Sequence, residues 1–231
     1  MIKNKADYLY YLEADRIALS KPKVSSFDLS YKFKNFLFPD VLWEFQKTLR
    51  KLEYLKNVPS GPLMKMVYFF VLKKYYRLSY KLGFTIPINV FGPGLSIAHY
   101  GTIIINTGAK IGANCRIHAN VNIGTEAGHA SLAPVLGDNV YIGPGAKIFG
   151  GISISNNVII GANAVVNKSV IQENVAIGGI PAKIITENIV IDDVLIRATE
   201  ILKMNVNADS LVGLPAKELN AFLKNNKGAN S

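Results

Sequence analysis

Aliphatic residues recur every six positions through the middle of the chain: Leu136, Ile142, Ile148, Ile154, Ile160 and Val166 are evenly spaced, and Ile105, Ile111, Ile117 and Ile123 keep the same interval earlier. A second apolar series runs two residues ahead of the first, through Ala109, Cys115, Val121, Pro134, Val140, Ala146, Ile152, Val158 and Ala164. Small or polar residues often follow the aliphatics, as in Ile111-Gly112, Ile142-Gly143 and Ile160-Gly161. A helix shows its apolar face every 3.6 residues and a strand every second residue, so neither alone produces a period of six. A short strand that alternates in and out, followed by a corner, does. Three such sides close a triangular coil, and stacked coils bury the paired inward positions in one continuous core. A β-sandwich would instead space its turns irregularly, at about 8 to 12 residues. The pattern predicts a parallel β-helix.

The flanks follow other rules. Residues 1–84 lack the repeat, and two apolar stripes at helical spacing, Leu42, Phe45, Leu49, Leu52 and Tyr68, Val71, Tyr75, Leu78, Leu82, predict helices separated by Pro59, Gly61 and Pro62. Gly83 and Pro87 end the second helix and lead into a coil domain expected over residues 85–186. In the remaining extension, residues 187–231, Ile191, Val194, Ala198 and Ile201 suggest a helix, followed by a short segment around Pro215 to Leu223 and a frayed polar end, KNNKGANS. One interruption breaks the beat: Ile123 and Leu136 stand thirteen apart, so GTEAGHASLAP carries about seven residues more than a single step and leaves the coil as a loop. Loops on a rigid scaffold are the usual place for ligand contacts.

Composition narrows the partners. The chain has 231 residues, 49% of them hydrophobic, and a formal charge of +10, which suggests an anionic partner such as a phosphorylated cofactor or an acidic glycan. Neither an RNA-binding aromatic motif nor a helix-turn-helix pattern is present, so nucleic acid is not expected. The single cysteine, Cys115, sits at an inward repeat position and excludes an internal disulfide. The opening MIKNKADYLYYLEADR lacks an apolar signal-peptide core, and the early apolar run from Met66 to Leu72 is far short of the ~20 residues of a spanning helix. A cytoplasmic protein is expected. The second helix, KMVYFFVLKKYYRLSYKL, interleaves aromatics with lysine and arginine. That face suits a membrane surface, at the inner face of the membrane, or an acidic glycan; the plainer reading is a packed helix with a solvated basic side.

The chain has three histidines, His99, His118 and His129, all in or beside the coil near its loop and none at an inward aliphatic position. His99, two residues past Ile97, falls where the chain rounds a corner, and an outward imidazole there can act as general base on a hydroxyl. His118 follows about one coil later and is expected to stack near it. His129 lies in the loop with Glu126 close by, a second candidate pair for the substrate site.

The run GPGLSIAHYGTIIINTGAKIGANC, then VNIG, the loop, VLGDNVYIGPGAKIFGGISI, IGANAVVNKSV and GGIPAKII resembles, over about residues 84 to 186, the serine O-acetyltransferase branch of the hexapeptide-repeat acyltransferases, and is most similar to members serving surface polysaccharides. The resemblance implies a left-handed β-helix, an acetyl-CoA-dependent transferase, and a homotrimer with active sites between neighbouring coils. It makes His99 the base that deprotonates the acceptor hydroxyl for direct attack on the thioester. By the same resemblance Gly145, Ala146 and Ala162 let the pantetheine arm lie against the backbone, Asn167 hydrogen-bonds to it, and Lys168 and Lys183 meet the CoA phosphates. Small residues at corners also serve tight turns on their own account.

Departures from the family pattern bear on the acceptor. In simple register Phe84 stands where serine acetyltransferases carry an aspartate partner for the histidine. Ala98 replaces an aspartate just before His99, and Ala133 replaces a second histidine before the loop proline. These losses and the basic charge point to a sugar hydroxyl of a surface polysaccharide or its precursor, with L-serine as the alternative and a sugar amine as a further one. A zinc enzyme with three histidine ligands is a different class, but spacings of nineteen and eleven residues give no close histidine pair, and no metal is expected. A catalytically idle scaffold would release no CoA thiol.

Overall fold

The computed structural model describes residues 1–23, 28–59 and 61–204, then 208–211, 213, 214, 218, 219 and 222. Helices α1 (Lys5–Ala18), α2 (Leu29–Leu37), α3 (Val41–Asn57) and α4 (Pro62–Leu82) precede the coil. Asn4, Asp28 and Asp40 cap the first three, each side chain accepting the backbone N–H three residues on. Pro62 opens α4, and Gly83, at φ 78°, closes it in the left-handed region that glycine adopts without strain. The stripes of α3 and α4 are buried as predicted from their spacing, at Phe45, Leu49 and Leu52 and at Val71, Tyr75, Leu78 and Leu82. Helices α1 and α2 are additions to the two predicted. The buried side of α1 includes Asp15 and Arg16, which break its apolar period, and α2 buries no residue at all.

The coil has three sheets. The first stacks β1 (Phe84–Thr85), β3 (Ile103–Ile105), β6 (Val121–Gly124), β9 (Lys147–Phe149) and β12 (Val165–Val166). The second stacks β4 (Lys110–Ile111), β7 (Val135–Leu136) and β10 (Ser153–Ile154). The third runs through β2 (Ser96–Ile97), β5 (Arg116–Ile117), β8 (Tyr141–Ile142), β11 (Val158–Ile160) and β13 (Val175–Gly179) to β14 (Ala182–Glu187). Every pairing is parallel except β13 with β14, an antiparallel turn-back at the end of the coil. Ile148 pairs with Val166, Leu136 with Ile154 and Ile142 with Ile160, each 18 positions on. Across the loop the partners lie 25 positions apart, Ile111 with Leu136, Ile117 with Ile142 and Ile123 with Ile148. The seven extra residues are those that leave the coil.

Asparagines turn the corners. Asn114, Asn139 and Asn157 all have φ between 56° and 59°, and their amides form a ladder, Asn114 donating to Asn139 and Asn139 to Asn157, both at 2.8 Å. Asparagine tolerates this backbone and still offers a donor and an acceptor to the coils above and below.

The helices cap the first coil. Buried Arg50 of α3 donates to Asp15 of α1 from Nε at 2.8 Å and to the Phe91 carbonyl at 3.0 Å, and it also pairs with Glu53 at 3.0 Å. Asp15 accepts in addition from the backbone N–H groups of Gly94 at 2.9 Å and Leu95 at 2.8 Å. Burial works against the charge on Arg50, but Asp15 and Glu53 outweigh it and raise its pKa. Gln46 pairs its amide with Leu95 and Ile97 beside the open edge at β2. The suggested C-terminal helix divides into a 3₁₀ turn, Ile191–Asp193, and α5 (Ala198–Lys203), and α5 packs Ala198 and Ile201 on Ala14, Ile17 and Ala18 of α1. Most of the segment from Pro215 to Leu223, and the polar end after it, lie outside the described residues.

Candidate functional site

His99 follows β2 and His118 follows β5, so both stand on the corner where the third sheet gives way to the first. Their ring centroids are 5.9 Å apart, and Tyr141 of β8 continues the column 5.0 Å from His118. His99 is exposed, whereas His118 is half-buried and its Nε2 atom lies out of solvent with no hydrogen-bond partner among the described residues. Burial, then the charge of Arg116, then His99 lower the His118 pKa. A neutral His118 puts no second positive charge beside His99.

That depression has a measurable sign. Between the lowered folded pKa of His118 and the ordinary unfolded value near 6.5, the unfolded chain binds the extra proton. Its contribution to stability is present above about pH 6.5 and is lost as pH falls through the folded pKa. His118→Gln is expected to flatten the acid side of a stability-versus-pH curve measured by urea unfolding; an unchanged slope contradicts a depressed His118.

His129 sits elsewhere. The loop between β6 and β7 is a local turn in which His129 N–H donates to the Glu126 carbonyl at 3.0 Å and Glu126 N–H to the Leu132 carbonyl at 3.1 Å. Its corner joins the first sheet to the second, so within one chain His129 and Glu126 do not share the corner of His99 and His118. Leu132 leans on Gly151, where an added Cβ would come within 3.1 Å of its Cδ2.

Five of the six residues expected at the cofactor flank the last strands of the first sheet. Gly145, at φ 77°, and exposed Ala162 lie on the His99 side, on successive coils. Exposed Asn167 and Lys168 follow β12 on the other side. Lys183 is exposed on β14, paired with Gly178. Ala146 is different: its side chain is buried in the coil, its N–H donates to the Gly143 carbonyl at 3.3 Å, and its carbonyl accepts from Asn122 at 3.0 Å. Phe84 is also turned inward, edge-on to Phe45 at 5.0 Å between centroids, while its neighbour Thr85 faces out.

The structure adds residues that the repeat pattern left unread. Ser96, Arg116 and Tyr141 each precede an inward isoleucine and align across the third sheet. Arg116 donates to Ser96 Oγ at 3.2 Å, and a cavity of about 300 Å³ between helices and coil is lined by both, with Ala98, Lys21 and Asp40. A guanidinium in that place, next to the residue before His99, suits an anionic group. The signal was available: the outward residue before each inward isoleucine, taken coil by coil, gives this row. Among the described residues no group of three or more histidine, cysteine, aspartate or glutamate side chains is placed to hold a metal ion, and no helix is long and apolar enough to cross a membrane.

Residues 133–168 match the family model for bacterial transferase hexapeptide (six repeats). The chain is 40% identical over 103 residues to the serine acetyltransferase of Staphylococcus xylosus, covering 42% of this chain and 47% of that one. It is 37% identical over 95 residues to the serine acetyltransferase of Synechococcus elongatus, covering 41% and 38%. It thus spans about half the length, or less, of these curated relatives. The crystal structure of a Brucella abortus serine acetyltransferase in complex with coenzyme A superposes with a TM-score of 0.61 at 26% identity, over 79% of this chain and 69% of that one. Residues 133–168 therefore carry the bacterial transferase hexapeptide repeat, and part of the chain is similar to serine acetyltransferases.

Proposed function

We propose that the protein is an acetyl-CoA-dependent O-acetyltransferase in which His99 is the general base and L-serine the acceptor. The observation that supports it most is the His99–His118 pair, 5.9 Å apart on one corner of a coil similar to that of a serine acetyltransferase crystallised with coenzyme A. Sequence alone leaned toward a sugar hydroxyl; the relatives favour L-serine.

In this reading the acceptor hydroxyl passes its proton to His99 as its oxygen attacks the thioester carbonyl. The carbon–oxygen bond forms, the carbon–sulfur bond breaks, and the departing CoA sulfur takes the proton back from the imidazolium. Cys115 has no part in it, because burial pushes its thiol pKa up and its side chain faces the core. Lys168 and Lys183 supply cations for the CoA phosphates, Gly145 and Ala162 leave room for the pantetheine arm, and Asn167 offers it an amide. Ala146 would contribute only smallness, since its backbone groups are engaged within the coil. The proposal also includes a left-handed winding, a cytoplasmic homotrimer that brings the His129 loop of one chain to the His99 corner of another, and a division of labour between helical residues 1–84, transferase residues 85–186 and the extension 187–231.

A second reading, a sugar hydroxyl as acceptor, draws on one observation: Phe84 is buried and Ala98 and Ala133 are apolar, so three positions that could hold a small zwitterion do not. Release of free CoA from acetyl-CoA separates the readings. Prompt turnover with L-serine and little with nucleotide sugars or oligosaccharides is expected. The reverse preference selects the sugar, and silence with every acceptor sinks the transferase.

A further inference from the structure

Two helices present apolar faces that stay exposed among the described residues. On α2, Leu29, Phe33, Phe36 and Leu37 fall on one side at helical spacing, and Phe36 is 81% exposed. An isolated nine-residue helix is marginal in water, so an open apolar face on it calls for a partner. On α4 the inner side packs on the core, as the plainer reading of its sequence had it, but the outer side carries Phe69 and Phe70, 66% and 67% exposed, and Tyr80, 82% exposed. Lys74 of α4 pairs with Glu44 in the first turn of α3, and α2 ends three residues before α3 begins. The open face of α2 is therefore tethered at the end of α3 on which the second half of α4 packs.

Charge indicates what covers these faces. The two helices hold seven lysines and arginines and no aspartate or glutamate. Of these only Lys74 has an ion pair among the described residues. A self-contact between two such faces would set cation against cation, whereas an anionic bilayer surface offers apolar depth for the aromatics and counter-charge for the lysines. Among the described residues no helix is long and apolar enough to cross the bilayer, so the mode of contact that fits these two helices is lying in its surface.

We propose that the outer faces of α2 and α4 dock the protein on anionic lipid surfaces, with the aromatics set at the headgroup level. The inference does not depend on acetyl transfer. The test is co-sedimentation of the full chain with phosphatidylcholine vesicles with and without phosphatidylglycerol, at low and high salt. Binding to the anionic vesicles only, weakened by salt, is expected. Lys73→Gln with Arg77→Gln should weaken partitioning by about 25-fold, at about fivefold per cation, and Phe69→Ser with Phe70→Ser by at least about tenfold. These side chains are exposed, and unchanged melting temperatures will show that the variants fold. Binding to both vesicle types alike, or to neither, overturns the proposal. So does full binding by the phenylalanine variant, which would leave only diffuse attraction. If instead that variant lowers the mass seen by light scattering while vesicle binding persists, the face is a contact between copies and the proposal fails.

Discussion

His99→Ala is expected to lower acetyl-CoA turnover by about 10²- to 10⁴-fold, the usual contribution of a positioned general base. The Michaelis constant for acetyl-CoA should hardly move, because the ring touches the acceptor proton rather than the cofactor in the proposed arrangement. Stability should hold too, since His99 is exposed. His118→Gln makes a useful companion. Its ring lies between those of His99 and Tyr141, tilted to both, so its loss should lower turnover far less than loss of the base itself. The readout is free CoA against time at saturating acceptor, with the variant's melting curve beside it. Activity within about threefold of the parent after His99→Ala would be too little loss for a general base and would remove His99 from the chemistry.

Arg50→Met is expected to cost about 3 to 5 kcal/mol of folding stability, the range for breaking a buried ion pair on one side. The guanidinium is wholly buried, and its loss strands Asp15 and Glu53 without their cation and the Phe91 and Gly92 carbonyls without their donor. At roughly 2 to 4 °C per kcal/mol for a chain of this size, the melting temperature should fall by about 6 to 20 °C. Replacing Asp15, Arg50 and Glu53 together by apolar residues of similar volume should recover part of the loss, because no orphaned charge then remains. A melting temperature within about 2 °C of the parent for Arg50→Met alone would show that the network is not what holds α1 and α3 to the coil.

That network explains where sequence reading stopped. The coil was legible because its constraint is local: each inward residue is fixed by its own six-residue step, and the loop announced itself as the one irregular interval. The predicted apolar positions Ile117, Ile123, Ile142, Ile148 and Ile160 are all fully buried. Helix α1 was hidden because the charged Asp15 and Arg16 interrupt its buried side, and the sense of Asp15 depends on Arg50, 35 positions away. The corner asparagines, each three residues past an inward aliphatic, go unread in the sequence because their ladder joins residues 18 and 25 apart. At the candidate site, the closeness of His99 and His118 followed from coil length. The separation of His129 from them depended on which corner the loop leaves, and spacing alone does not say that. Phe84 was placed in simple register, but alternation along β1 turns it inward and Thr85 outward.

The asparagine ladder does not stop at the coil. Asn114 donates to Thr199 Oγ1 at 2.8 Å and accepts from the Thr199 N–H at 3.1 Å, so a residue 85 positions later completes the ladder at its first rung. In an open solenoid each repeat leans only on its neighbours and the array can unzip from either end. Here the segment carrying α5 doubles back and clasps the beginning, and neither terminus of the stack is free to peel first. Melting is therefore expected to be a single concerted event. Assembly of the finished fold waits for the late arrival of that closing strap.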